Sequence, residues 1–176
     1  MDPNCLFCKI VSKQIPASLV YEDESVLGFL DINPLTEGHT LVIPKNHALN
    51  IFDIPAEDLK HISVVAQKIS NNMKNVIQTE GVDLVQASGK AADQTVDHFH
   101  MHIIPRKTDD GLDLRQWWMS RAQQADPLKL KEIAEKLKTE KIEEAPKPVE
   151  KVEEPKPQKE RSKEEVEWIK RELGIA

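Results

Sequence analysis

The stretch His98-Phe99-His100-Met101-His102-Ile103-Ile104 places three of the chain's six histidines at alternate positions in an otherwise apolar run, closed by Pro105 and Arg106. Alternation is the period of a β-strand, whose successive side chains point to opposite faces. His98, His100 and His102 therefore share one face, while Phe99, Met101 and Ile103 share the other and belong to the core. A row of imidazoles has no packing motive. Burying three unpaired polar rings would cost on the order of several kcal/mol, so the histidine face is read as the one that does chemistry.

The segments around that strand complete one domain. Leu19-Val20-Tyr21 and Val26 to Ile32 read as two strands of a hairpin around Asp23-Glu24-Ser25, and Asn33-Pro34 ends the second. Thr40-Leu41-Val42-Ile43, stopped by Pro44, is a third strand. Pro55 followed by Ala56-Glu57-Asp58 opens a helix, with proline in the first turn and acids at the positive end of the dipole. Leu59, Ile62, Ala66, Ile69, Met73 and Val76 recur at gaps of three and four, the buried face of one long helix ending near Gly81. His61 falls off that stripe and is read as solvated, without a role. Asp83 to Gln86 is a fourth strand, and the polar segment Ser88 to Gln94 leads into the histidine strand. Trp117 and Trp118 read as packing residues, and Pro127 to Lys138 as a shorter helix with Leu130, Ile133, Ala134 and Leu137 facing inward. Strands on both sides of a long helix predict an α+β domain with an antiparallel sheet over residues 1–138.

A chain of 176 residues with 39% hydrophobic content builds one such core and leaves no room for a second enzyme domain. The net charge of -6, without a basic stripe, argues against a nucleic-acid duplex as partner. There is neither an apolar run of about 18 residues nor the basic-then-apolar layout of a signal peptide, so no membrane is implied and a cytoplasmic location is expected. Cys5 and Cys8, the only cysteines, form a CxxC pair, which in a reducing compartment points to metal or redox work over a structural disulfide.

The charge and proline excess lies after residue 138. Lys141 to Lys163 carries four prolines and seven Lys/Arg against six Glu, so 139–161 has almost nothing to bury and reads as a flexible, disordered linker. Beyond it, Ser162-Lys163-Glu164-Glu165 matches a capping box, Val166, Ile169 and Leu173 share a stripe, and Gly174 suits the stop. Residues 162–176 are thus expected to form a short amphipathic helix that docks a protein partner.

HFHMHII resembles the motif of the histidine-triad (HIT) family, His-x-His-x-His followed by two apolar residues. Cys5 to Ile10, Phe29-Leu30-Asp31-Ile32, Gly38 to Lys45 and Gln94-Thr95-Val96 resemble further family segments in the same order, so the likeness covers about the first 138 residues. It implies a HIT-like α+β fold, a homodimer, and hydrolysis or transfer of purine nucleotides. By the same resemblance His100 is the nucleophile toward an α-phosphate and His102 a donor to a nonbridging phosphate oxygen. Neutral imidazole is nucleophilic near pH 7, and a phosphoramidate yields to water. The likeness further implies that Asp31, with Ile32 beside it, meets the ribose and that Gln94 and Thr95 flank the phosphates. His39 resembles the histidine that buttresses the triad, though a purely structural role fits it equally. In members that keep CxxC the resemblance implies a structural zinc, here held by Cys5, Cys8, His47 and His98, a chemically ordinary ligand set. Two positions depart from the pattern: Ala87 lies where a donor such as Asn is common, and Asp93 where glycine is.

The leading expectation is a hydrolase releasing a nucleoside 5′-monophosphate from dinucleoside polyphosphates or nucleoside phosphoramidates through a nucleotidyl-histidine. A nucleotidyl or phosphoryl transferase would differ by its acceptor. A nucleotide-responsive binding module would show no turnover, and a catalytic metal on all three motif histidines would make activity sensitive to chelation.

Overall fold

Leu19–Glu22 (β1), Val26–Leu30 (β2), Thr40–Pro44 (β3), Gly81–Val85 (β4) and Met101–Arg106 (β5) form one antiparallel sheet in the order β1-β2-β3-β5-β4. The computed structural model describes residues 1–139. The rest of the expected linker and the terminal helix at 162–176 lie outside the described residues, as do the side chains of Trp117 and Trp118.

The sheet is covered on both faces, which is why β3 is buried at every position. On one face Val26, Val42, Phe99 and Ile103 pack with Ile62, Val65, Ala66 and Ile69 of the helix Ala56–Val76, α2 by the labels used here. On the other, Leu27, Phe29, Leu41 and Ile43 pack with Cys5, Phe7 and Cys8 around a short helix α1, Leu6–Val11. The period-2 alternation of β2, β3 and β5 assigns each residue to its side. No helix was expected at α1, whose six residues hold too few turns to show a stripe. It is started by Cys5, whose sulfur caps the Cys8 amide at 3.5 Å.

Four expectations need correction. Val76 is exposed, and Ile77, one residue past α2 and four beyond Met73, packs in its place. Strand β2 stops at Leu30 because Asp31 N–H bonds the His39 carbonyl and the Asp31 carboxylate accepts the Asn33 amide, turning the chain. His61 is half-buried: its Nε2 lies 2.6 Å from Asp23 Oδ2 and ties α2 to the hairpin turn. Finally, the compact unit that holds the sheet spans Met1–Arg121 and ends in α3, Leu114–Arg121. The helix α4, Pro127–Lys136, belongs to the next unit. It is capped by Asp126 and has proline in its first turn, yet its expected inner face, with Leu130, Ile133 and Leu137, is exposed. Periodicity shows that a stripe exists but not what covers it.

Candidate active site and metal cluster

Strand β5 begins only at Met101, because the main chain before it is held by the segment after β3: Phe99 N–H bonds the Ala48 carbonyl at 2.7 Å. The side chains nevertheless alternate across the whole motif. Phe99 and Ile103 enter the α2 side of the core, while His98, His100 and His102 follow one another on the α1 side. Register places His102 beside Leu41, which is beside Phe29, so the histidine row continues the face that α1 covers.

His98 and His100 are buried, and each ring has partners. A carbonyl can only accept, so each ring nitrogen that faces one must carry the proton. His98 Nε2 donates to the Pro44 carbonyl at 2.9 Å, which leaves the lone pair on Nδ1. His100 Nδ1 donates to the His98 carbonyl at 2.7 Å, which leaves the lone pair on Nε2. Leu35 N–H donates to His39 Nδ1 at 3.2 Å, so His39 Nε2 carries hydrogen and donates to His102 Nδ1 at 3.0 Å. His102 then bears its proton on Nε2. Burial, and after it the neighbouring His100 and His39, holds His102 at about 4, so it stays a neutral donor near pH 7. Burial also lowers His39, against the pull of Asp31, whose Oδ2 lies 3.8 Å from His39 Nδ1. Gly38 precedes His39 at φ 86°, and a Cβ there would come within 2.8 Å of the Ile77 side chain. The left-handed backbone favours glycine there, and a larger residue would also have to displace the tip of the Ile77 side chain.

A cleft of about 460 Å³ opens beside these rings. His100, His102, Asp31, Asn33 and Thr95 line it together, and Phe7, Ile10, Phe29 and Leu41 form an apolar wall. Ile32 also lines it while remaining largely exposed. Sequence reasoning missed this wall; its one trace was the spacing of Leu6, Phe7 and Ile10. Phe7 sets its edge against the His100 ring, centroids 5.4 Å apart.

Gln94 does not line the cleft; its amide bonds only main-chain groups. Gln86 and Ser88 bond each other at 2.9 Å, Ser88 Oγ also accepts from Ile51 N–H, and neither residue lines the cleft. Asp93 adopts the left-handed conformation, φ 60°, which accounts for a glycine preference there and which aspartate tolerates.

At the other end of the motif, Cys5 and Cys8 from α1, His47 from the turn after β3 and His98 converge, all four ligand atoms within 4.8 Å of one another. Cys5 Sγ to His98 Nδ1 is 3.4 Å, Cys8 Sγ to His47 Nδ1 is 3.4 Å, Cys8 Sγ to His98 Nδ1 is 3.7 Å, and the two nitrogens are 3.3 Å apart. Around an ion with sulfur at about 2.3 Å and nitrogen at about 2.0–2.1 Å, a tetrahedron has S···N edges of about 3.5 Å and an N···N edge of about 3.3 Å. The cluster has the dimensions of such a site. Burial pushes the Cys8 thiol up. The three motif histidines do not converge on a common ion: among the described residues, the other candidate group is Asp31, His39 and His102.

The HIT domain family profile matches residues 12–109. The chain belongs to the HIT family. It is similar to the adenosine 5′-monophosphoramidase HNT1 of Candida albicans, 38% identical over 141 residues, or 78% of this chain and 91% of that protein. Its fold matches the crystal structure of a HIT family protein from Bacillus anthracis with a TM-score of 0.65 at 41% identity, covering 77% of this chain and 96% of that one. It also matches a Zn-bound histidine triad family protein from Mycobacterium smegmatis, with a TM-score of 0.61 at 44% identity over 63% and 81% of the two chains.

Proposed function

We propose that this HIT protein hydrolyses nucleoside 5′-phosphoramidates or dinucleoside polyphosphates, releasing a nucleoside 5′-monophosphate by way of a nucleotide bonded to His100. The observation that carries this reading is the tautomer pair in the cleft. His100 is fixed with its Nε2 lone pair free, and His102 beside it is fixed as a donor. In the first step His100 Nε2 bonds to the α-phosphorus while the bond to the leaving group breaks, and the departing amine or phosphate takes its proton from solvent. The imidazolium so formed keeps its Nδ1–H on the His98 carbonyl, which stabilises the charge. Water then bonds to phosphorus and releases a proton to solvent, the N–P bond breaks, and the lone pair returns to His100. His102 Nε2–H stabilises the nonbridging oxygen in both steps, as an oxyanion donor does. Asp31, with acceptor capacity toward the cleft, meets two ribose hydroxyls, and the apolar wall takes the base. The relative named as an adenosine 5′-monophosphoramidase supports the same substrate class.

Cys5, Cys8, His47 and His98 hold zinc in this reading. The cluster edges support it, as does the zinc in the M. smegmatis relative. Four protein ligands would leave no open position, so the ion would supply structure, joining α1 to the segment that carries His100. Two free cysteines suit a reducing, cytoplasmic setting. The exposed Leu84 and Val85 on edge strand β4 support a homodimer, which light scattering tests. Residues 162–176 are proposed as a partner-docking segment dispensable for catalysis, and truncation after Lys138 should leave kcat unchanged.

The deciding experiment is rapid-quench mass spectrometry with adenosine 5′-phosphoramidate. The expected result is an acid-labile adenylate on His100, together with retention at a chiral α-phosphorus in oxygen-18 water. Inversion without an adduct would establish direct water attack, and transfer to phosphate in preference to water would establish a transferase.

A further inference from the structure

Gln94 precedes a cleft residue and yet faces away from the cleft. Its Oε1 accepts from Gly89 N–H at 2.7 Å, and its Nε2 donates to the carbonyls of Leu49 at 2.6 Å and Val96 at 2.8 Å. Both amide hydrogens are used, so no donor remains for a phosphate. Alongside, Ser88 Oγ accepts from Ile51 N–H at 3.0 Å. These bonds fasten the loop between β4 and the histidine motif to the segment just past His47.

The loop has little else to hold it. It contains one 3₁₀ turn, Lys90–Ala92, flanked by Gly89 and Asp93, both at positive φ, and it joins no strand ladder. At its end Thr95 lines the cleft with His100 and His102. Among the described residues neither the Thr95 hydroxyl nor its N–H has a hydrogen-bond partner, so both donors stand ready for an anion.

We propose that Gln94 is a positioning residue: by clamping the Gly89–Val96 loop to Leu49 it sets where Thr95 presents its donors to the phosphoryl group, without touching substrate. The inference rests on the reaction proposed above. A displacement of about 1 Å in a group that orients a reacting centre costs up to roughly 10²-fold in rate. The loss should therefore fall on kcat, because the base and ribose contacts lie elsewhere in the cleft.

The test uses the full chain with its metal and adenosine 5′-phosphoramidate. Gln94→Met keeps the length of the side chain and deletes the three bonds. It should lower kcat by about 10- to 100-fold, with KM, the affinity for AMP, Tm and metal content nearly unchanged, and hydrogen exchange should show lost protection at Gly89. Gln94→Glu keeps the acceptor but sets a carboxylate against two carbonyls, and should do at least as much harm. If Gln94→Met does not fold, Ser88→Ala, which removes the bond from Ile51 N–H and the one to Gln86 Oε1 within the loop, is read in the same way. Wild-type kcat in these variants overturns the proposal. So does a fall in AMP affinity that matches the fall in kcat while Gly89 stays protected, since that marks direct contact. A wild-type protein inert toward the substrate overturns the proposed reaction itself, and the exchange data then report the clamp alone.

Discussion

The first and middle histidines of the motif are one residue apart on one face and have been given opposite tasks. His98 turns its lone pair toward two sulfurs and a second imidazole in a closed, buried cluster. His100 turns its lone pair away from its carbonyl partner, and it lines an open cleft. The residue type and the face are the same; the difference is which ring nitrogen meets a main-chain carbonyl. Pro44 takes Nε2–H of the first ring, and the His98 carbonyl takes Nδ1–H of the second. A backbone acceptor on one side of an imidazole decides what the other side can do.

The comparison breaks most sharply at His100. Replacing it with alanine removes the only group proposed to bond phosphorus, so kcat should fall by roughly 10⁴-fold or more while metal content, measured by mass spectrometry, stays full. Activity within about tenfold of wild type would sink the assignment. His102→Ala removes a donor and leaves the nucleophile, for a loss of roughly 10²–10³, and the adduct should still form on His100. A cost equal to that of His100→Ala would mean that the two rings act as one unit.

Cys5→Ser probes the opposite end. Bound metal should drop from about one per chain toward zero and Tm should fall with it, whereas the fraction still folded should retain the His100 adduct. Full metal in that variant would refute the ligand set.

The smallest effect expected is with pH. His102, at about 4, and His39, also lowered, both titrate below the ordinary histidine value of about 6.5 in the unfolded chain. Between those values the unfolded state binds more protons than the folded one. Stability is therefore complete above pH 6.5 and declines as pH falls toward 4. Asp23 and Asp110 add a second loss below about pH 4: hydrogen bonds from Tyr21 and His61 overcome burial at Asp23, and Arg106 holds Asp110, so both carboxyls lie below their usual range. Chemical unfolding at pH 7, 5.5 and 4.5 checks this, and a flat profile would contradict the burial of the imidazoles.

The alternation His98 to Ile103 was enough to assign faces, and the segments around it were enough to locate the strands and the long helix, because both are local properties of the chain; the order in which the strands pair is not, since Thr40 meets Ile103 only in the fold. The apolar wall was not legible: Phe7 and Phe29 are 22 residues apart in sequence and meet, with ring centroids 5.6 Å apart, only when α1 folds over β2. The turn of Gln94 away from the cleft depended on the carbonyls of Leu49 and Val96, which no side-chain pattern reveals. His61 was missed for a related reason, since Asp23, its partner, comes from the hairpin rather than from its own helix.

The hydrogen-bond relay from Leu35 through His39 to His102 runs in one direction only. With His102 Nδ1 occupied and Nε2 protonated, and with His98 Nδ1 turned into the cysteine cluster, His100 Nε2 is the one unprotonated imidazole nitrogen of the motif presented to the cleft. An electrophile of nucleotide shape therefore meets a single reactive atom there, which makes the cleft addressable by covalent labelling: one site and one stoichiometric adduct, with protection by AMP.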